Sequence, residues 1–224
     1  MKKMKVIILT LCAGMVMAGC NNMAKGTAIG AAGGAVLGAI VGKVAGNTAV
    51  GAAVGTAVGA GTGALIGKHM DKVKKEAEAV KNAQVESVTD ANGLQAVKLT
   101  FDSGILFATN KSDLNANSKA ALNQCATLLK NNADCDIAIF GHTDNTGSDA
   151  INNPLSVKRA KAVETYLKGQ GVSATQIRTV DGQGSTNPVA DNSTAAGRQQ
   201  NRRVEIYMYA SQAMIQAAEA GTLK

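Results

Sequence analysis

At 224 residues the chain has room for one sizeable domain or two, and a hydrophobic content of 46% excludes a disordered class. Aromatic residues make up only 3% while glycine occurs 25 times, so the apolar residues are unevenly used. The formal charge of +7 falls to about +4 once three N-terminal lysines are set aside, and no basic cluster is interleaved with aromatics. That argues against a nucleic-acid partner.

The three lysines, Lys2, Lys3 and Lys5, precede an apolar stretch from Val6 to Ala18. It is too short for an ordinary membrane span and has the length of a signal-peptide core. It ends in Met17-Ala18-Gly19-Cys20, which resembles a bacterial lipobox with Met where Leu is more usual. The resemblance implies a leader over 1–19, diacylation of the Cys20 thiol, and a lipidated N-terminus over 20–25. The alternative is an ordinary signal peptide with an incidental cysteine. Two or more acyl chains anchor a protein stably. Asn21 and Asn22 differ from the Asp that retains enteric lipoproteins at the inner membrane, which favours the outer membrane, facing the periplasm.

Residues 26–67 form an internal repeat. Glycines stand at 26, 30, 34, 38, 42 and 46, then at 51, 55, 59, 63 and 67, with Ala, Val, Ile, Leu and Thr filling most gaps. On a helix this period makes a smooth strip where another backbone can approach closely. Gly46-Asn47 supplies a turn between two arms, each long enough to cross a bilayer core. The expectation is a glycine-zipper helical hairpin, inserted in a membrane or self-associating. A flexible linker is the alternative, but a linker needs neither the period nor so many branched apolar residues.

From residue 68 to 84 the chain turns charged, with Asp71, Lys72, Lys74, Lys75, Glu76, Glu78 and Lys81, and reads as a solvated helical tether. A folded domain follows over 85–210. Val85–Thr89 and Leu94–Phe101 are expected as a β-hairpin around Asp90-Ala91-Asn92-Gly93. A helix over 112–131, a strand over 135–142, a helix from about 155 to 169 with Ser156 as its cap, and a strand over Ile177–Val180 come next. A helical turn around 194–200 and a last strand from Val204 to Tyr209 close the domain, before a terminal helix or tail over 211–224. This order implies an α+β fold of two layers, one sheet with helices on one face.

Gly141-His142-Thr143-Asp144-Asn145-Thr146-Gly147, then Asn152, Leu155-Ser156 and Arg159-Ala160, form a polar loop and a helix start after an apolar strand. Asp accepts from N–H donors and Arg grips a carboxylate bidentately, so Asp144 and Arg159 together suit a ligand carrying both an ammonium and a carboxylate. These motifs resemble the OmpA C-terminal-like domain, as do Phe101-Asp102-Ser103 and the later Asn201-Arg202-Arg203-Val204-Glu205-Ile206. The resemblance covers roughly 97–209. It implies non-covalent binding of peptidoglycan through the diaminopimelate of its stem peptide, with Asp144 and Arg159 as principal contacts and Asn152 in support. Thr143, Phe101, Asp102, and Arg202 or Arg203 are the further expected site residues. Together with the lipobox and the glycine repeat, the chain resembles the YiaD-type outer-membrane lipoproteins.

Cys125 and Cys135 fall on faces directed at one core. In an export compartment a disulfide between them is expected ahead of two buried free thiols. Neither a metal site nor a cofactor is expected, since no His stands at ligand spacing beside them. No Gly-x-Ser-x-Gly elbow accompanies His142, so an enzyme is not expected, and His142 reads as a loop-orienting residue. The implied function is a lipid-anchored clamp between outer membrane and cell wall. The alternative is a self-associating zipper or pore protein that the wall-binding domain positions.

Overall fold

The computed structural model describes residues 59–90, 92–102, 107 and 111–223. The expected leader, Cys20 and most of the glycine repeat lie outside the described residues. In chain order the elements are α1 (Ala60–Ala77), β1 (Gln84–Thr89), β2 (Gln95–Asp102), α2 (Ala116–Asn131) and β3 (Cys135–Gly141). They continue with α3 (Asp149–Gly169), β4 (Ile177–Gly182), α4 (Ala195–Asn201), β5 (Arg203–Ala210) and α5 (Gln212–Glu219). The five strands form one sheet in the order β1-β2-β5-β3-β4. β3 and β4 are parallel, joined through α3, and the other pairs are antiparallel.

Strand alternation divides the sheet into two faces. Val97, Leu99, Phe101, Ile137, Ile139, Val204, Ile206 and Met208 point to the face carrying α1, α2, α3 and α5, and form one continuous core with them. The opposite face carries Ala96, Ala138, Phe140, Tyr207 and Tyr209. Phe140 and Tyr207 meet there edge to face, with ring centroids 5.8 Å apart. The hairpin turn is held by Asp90, whose Oδ1 accepts from the backbone N–H groups of Asn92 and Leu94, both at 2.8 Å.

Two expectations are corrected here. The charged stretch after residue 68 is no solvated tether. Ile66, Met70, Val73 and Ala77 recur at helical spacing along α1 and are fully buried in the main core. The charges occupy the outer side only, and Asp71 accepts from Gln95 Nε2 at 2.6 Å. α1 also begins inside the glycine repeat, so Gly63 and Gly67 belong to a helix of the folded domain. A Cβ at Gly59 or Gly63 would meet nothing nearby. Among the described residues no helix is long and apolar enough to cross a membrane.

The second correction concerns the cysteines. Cys125 and Cys135 do point into one core, but both are free thiols rather than a disulfide. Each packs as a small apolar side chain on its own element. Burial pushes the Cys125 thiol up to about 12, and Cys135 is raised further by burial and by the neighbouring carboxylates Asp134, Asp136 and Glu76.

Candidate binding site

The site is built where β3 ends. Beyond Gly141 the chain cannot continue its ladder, and its backbone groups find other partners. His142 N–H donates to Arg203 C=O at 2.9 Å, and Thr143 N–H donates to Gly184 C=O at 2.8 Å. Asp144 closes a local turn by accepting from Thr146 N–H at 2.8 Å through Oδ1. Gly147, at φ +90, lets the chain swing into α3.

α3 starts at Asp149, well before the expected start near 155, and Pro154 lies inside it. The six residues ahead of 155 carry little apolar signal, because the buried side of this helix begins with polar residues. Asn152, Ser156 and Arg159 are buried at i, i+4 and i+7, followed by Ala160, Val163 and Leu167. Ser156 is therefore not a cap. Its Oγ donates to Asn153 C=O at 2.7 Å and accepts from Gly184 N–H at 3.0 Å, which ties α3 to the turn after β4. The approach is so close that a Cβ at Gly141 would collide with the Ser156 carbonyl, and one at Gly182 with Ser156 Oγ.

Among the described residues, Phe107 and Lys111 hold Arg159 in place. Its Nε donates to Lys111 C=O at 3.2 Å, and its guanidinium lies 5.4 Å from the centroid of the Phe107 ring. Burial and the Arg202 charge lower its pKa, and Asp144 opposes them. A guanidinium remains protonated regardless. Asp144 accepts from Arg202 Nη1 at 2.6 Å through Oδ2. Burial pushes its carboxyl up, but the bonds from Arg202 and Thr146 outweigh it and hold the group below the ordinary carboxylate range. Near these groups lie buried polar atoms with no partner among the described residues: Arg159 Nη1, Asn152 Nδ2 and Thr143 Oγ1. Unpaired buried donors are costly, so a site that retains them is prepared for a polar ligand.

The other expected residues divide. Arg202 reaches the site and is 38% exposed, free to shift as a ligand enters. Arg203 turns inward instead, pairing with Glu205 Oε1 at 2.7 Å and donating to Asn187 C=O at 3.1 Å. Phe101 is wholly enclosed in the core, so its expected ligand contact is withdrawn and its role is packing. Asp102 ends β2 opposite Arg203.

Beneath the loop, His142 Nε2 lies 3.3 Å from Glu205 Oε2, and both groups are buried. Burial lowers the His142 pKa more than Glu205 raises it, so the imidazole is neutral near pH 7. Tyr207 OH donates to Glu205 at 2.7 Å. Asn201 fixes the last wall, accepting from Val189 and Ala190 N–H groups at 2.8 and 3.0 Å. The bracing roles of Ser156, Glu205 and Asn201 escaped the sequence reading, although its motifs contain all three. The polar stripe Asn152-Ser156-Arg159 was the signal available for the first.

Residues 106–202 match the OmpA family model. They are an OmpA family domain. Residues 1–71 match the model of the YMGG-like Gly-zipper. The chain is 45% identical over 111 residues to the peptidoglycan-binding protein ArfA of Mycobacterium bovis, covering 50% of this chain and 34% of that protein. It is 35% identical over 141 residues to the probable lipoprotein YiaD of Escherichia coli, covering 63% of each. The chain thus spans about a third of ArfA and less than two thirds of YiaD. The OmpA-like fold recurs in a MotB-like protein of Desulfovibrio vulgaris, with a TM-score of 0.57 at 24% identity, covering 67% of this chain and 96% of that one. It also recurs in the cell wall anchor of the Pseudomonas aeruginosa T6SS, with a TM-score of 0.53 at 25% identity, covering 63% and 97%.

Proposed function

We propose that the OmpA-like domain binds peptidoglycan non-covalently, and that the chain tethers an outer membrane to the wall through a lipid on Cys20. The observation carrying this reading is that Asp144 lies close enough to bear on the Arg159 charge, beside Arg159 Nη1, Asn152 Nδ2 and Thr143 Oγ1, which have no partner among the described residues. A diaminopimelate end group offers an ammonium and a carboxylate. The carboxylate takes the open side of Arg159, with Asn152 Nδ2 as a second donor. The ammonium takes the remaining lone pairs of Asp144 and the Thr143 hydroxyl. Arg202 gives ground to it, and its own fork remains available for a second carboxylate. Relatives named as a peptidoglycan-binding protein and a lipoprotein support this reading. The glycine repeat adds membrane association and self-association upstream.

Co-sedimentation with purified peptidoglycan tests the site. Asp144→Ala and Arg159→Ala each weaken binding by about 10²-fold, because each strands a charge-assisted contact. Their effects fall short of additive, since both groups hold one small ligand. Wild-type sedimentation by the double variant removes the assignment. Mass measurement of the mature N-terminus tests the lipid on Cys20 separately.

A further inference from the structure

At the end of β3 remote from the binding loop, three donors from distant parts of the chain converge. His69 comes from α1, Asp134 from the turn before β3, and Cys135 is the first residue of β3. One ligand atom from each, an imidazole nitrogen, a carboxylate oxygen and a thiol sulfur, lies within 4.8 Å of the other two. His69 Nε2 and Asp134 Oδ2 are already 3.2 Å apart. We propose that His69, Asp134 and Cys135 form a divalent metal site, of the class that takes zinc, and that the metal clamps α1 to the OmpA-like domain.

The donor chemistry selects the metal class. Calcium and magnesium want oxygen ligands, whereas one imidazole, one thiolate and one carboxylate suit zinc. Tetrahedral zinc bonds of about 2.0–2.3 Å put neighbouring ligand atoms roughly 3.3–3.6 Å apart. The three groups therefore close by at most about 1.5 Å, within reach of side-chain rotation. Carboxylates surround the sulfur: Asp134, Asp136 and Glu76 all place negative charge on it. The field that opposes a bare thiolate attracts a cation in the proton's place. Binding replaces the S–H bond by an S–metal bond and releases one proton to solvent, with no change of oxidation state. Glu76 stands two turns along α1 from His69 and accepts from Asn132 Nδ2 at 2.9 Å. A water supplies the fourth ligand. Cys135 is buried beneath His69 and Asp134, which are themselves partly exposed and give the ion its entry path.

The test uses the full chain, untagged and in detergent, reduced and stripped with chelator, then titrated with cobalt(II). One equivalent produces thiolate-to-cobalt charge-transfer absorption, and zinc displaces it. Cys135→Ser removes the band. His69→Gln and Asp134→Asn, at partly exposed positions that preserve the fold, weaken zinc affinity at least tenfold each. Zinc raises the Tm of the wild type and leaves that of His69→Gln unchanged. A missing band, a band that survives Cys135→Ser, or equal zinc affinity in wild type and His69→Gln overturns the site.

Discussion

On the helical face of the sheet, Val97, Leu99, Ile137, Ile139, Val204 and Ile206 pack against helices, and burial alone stabilises them. On the other face, Lys98, Arg203, Glu205 and His142 are buried almost as deeply, yet they carry charge or titrate. They persist because each has a partner: Lys98 meets Glu86 at 2.6 Å, and Glu205 takes both Arg203 and Tyr207 at 2.7 Å. The apolar face is tolerant, since a lost methylene leaves a small gap. The polar face is brittle, since a lost partner leaves a buried charge. It is also the face that ties the last strand to His142, and so to the binding loop.

The comparison breaks hardest at Glu205. Glu205→Ala strands Arg203 and costs about 3–5 kcal/mol in denaturant unfolding, whereas Ile206→Val, one residue away on the apolar face, costs about 0.5–1.5 kcal/mol. Replacing both charged partners, Arg203→Met with Glu205→Leu, recovers most of the loss. Equal costs for the two single changes would erase the distinction between the faces.

Met70→Ala probes the apolar side at its outermost layer. It removes a fully buried side chain of α1 and costs about 2–5 kcal/mol, with earlier protease cleavage near residues 60–77. Unchanged Tm and cleavage would restore the solvated tether.

pH sharpens the contrast by acting on the polar face. His142 has its folded pKa below 6.5, so the unfolded chain binds the proton more readily. Its contribution is whole above about 6.5 and is lost as pH falls from there toward the folded value. Glu205 is held below its ordinary 4.5: burial pushes it up, but His142, Arg203 and Tyr207 outweigh that. Its contribution is present above 4.5 and is lost as pH falls through the folded value. Both slopes have the same sign, so thermal unfolding followed from pH 7 down to pH 2 shows two successive declines in Tm, the first starting near 6.5 and the second below 4.5, and His142→Gln flattens the upper one. The smallest effect belongs to Arg178, whose pair with Asp136 at 3.2 Å is 46% exposed on the arginine side. Arg178→Ala costs about 0–1 kcal/mol, less at high salt.

The apolar face was also the legible one. The hairpin, the strands at 135–141, 177–182 and 203–210, and the main helices follow from alternation, helical spacing and turn residues. What escaped has two causes, polar residues doing the packing in one helix and charges masking an apolar stripe in another. α3 begins with Asn152 and Ser156 on its buried side, so an apolar period finds only its second half. α1 hides Ile66, Met70 and Val73 among charges that dominate its composition. Asp144 and Arg159 were singled out because a motif names them, and the structure buries both beside the loop after β3. Arg203 sits beside Arg202 in the same motif and points the other way, which strand alternation decides only once the register is known.

α1 also decides how the molecule responds to a pull. Under the proposed tethering function, a load entering at residue 59 and leaving through the ligand at Asp144 and Arg159 meets α1 first. That helix is joined to the domain by an apolar side-chain stripe and a few polar side-chain contacts, whereas β2, β5 and β3 are braced by ladders on both edges. Its 18 residues span about 27 Å as a helix and roughly 60 Å when drawn straight. The slack is spent before the sheet feels the strain, making α1 a shock absorber placed ahead of the grip.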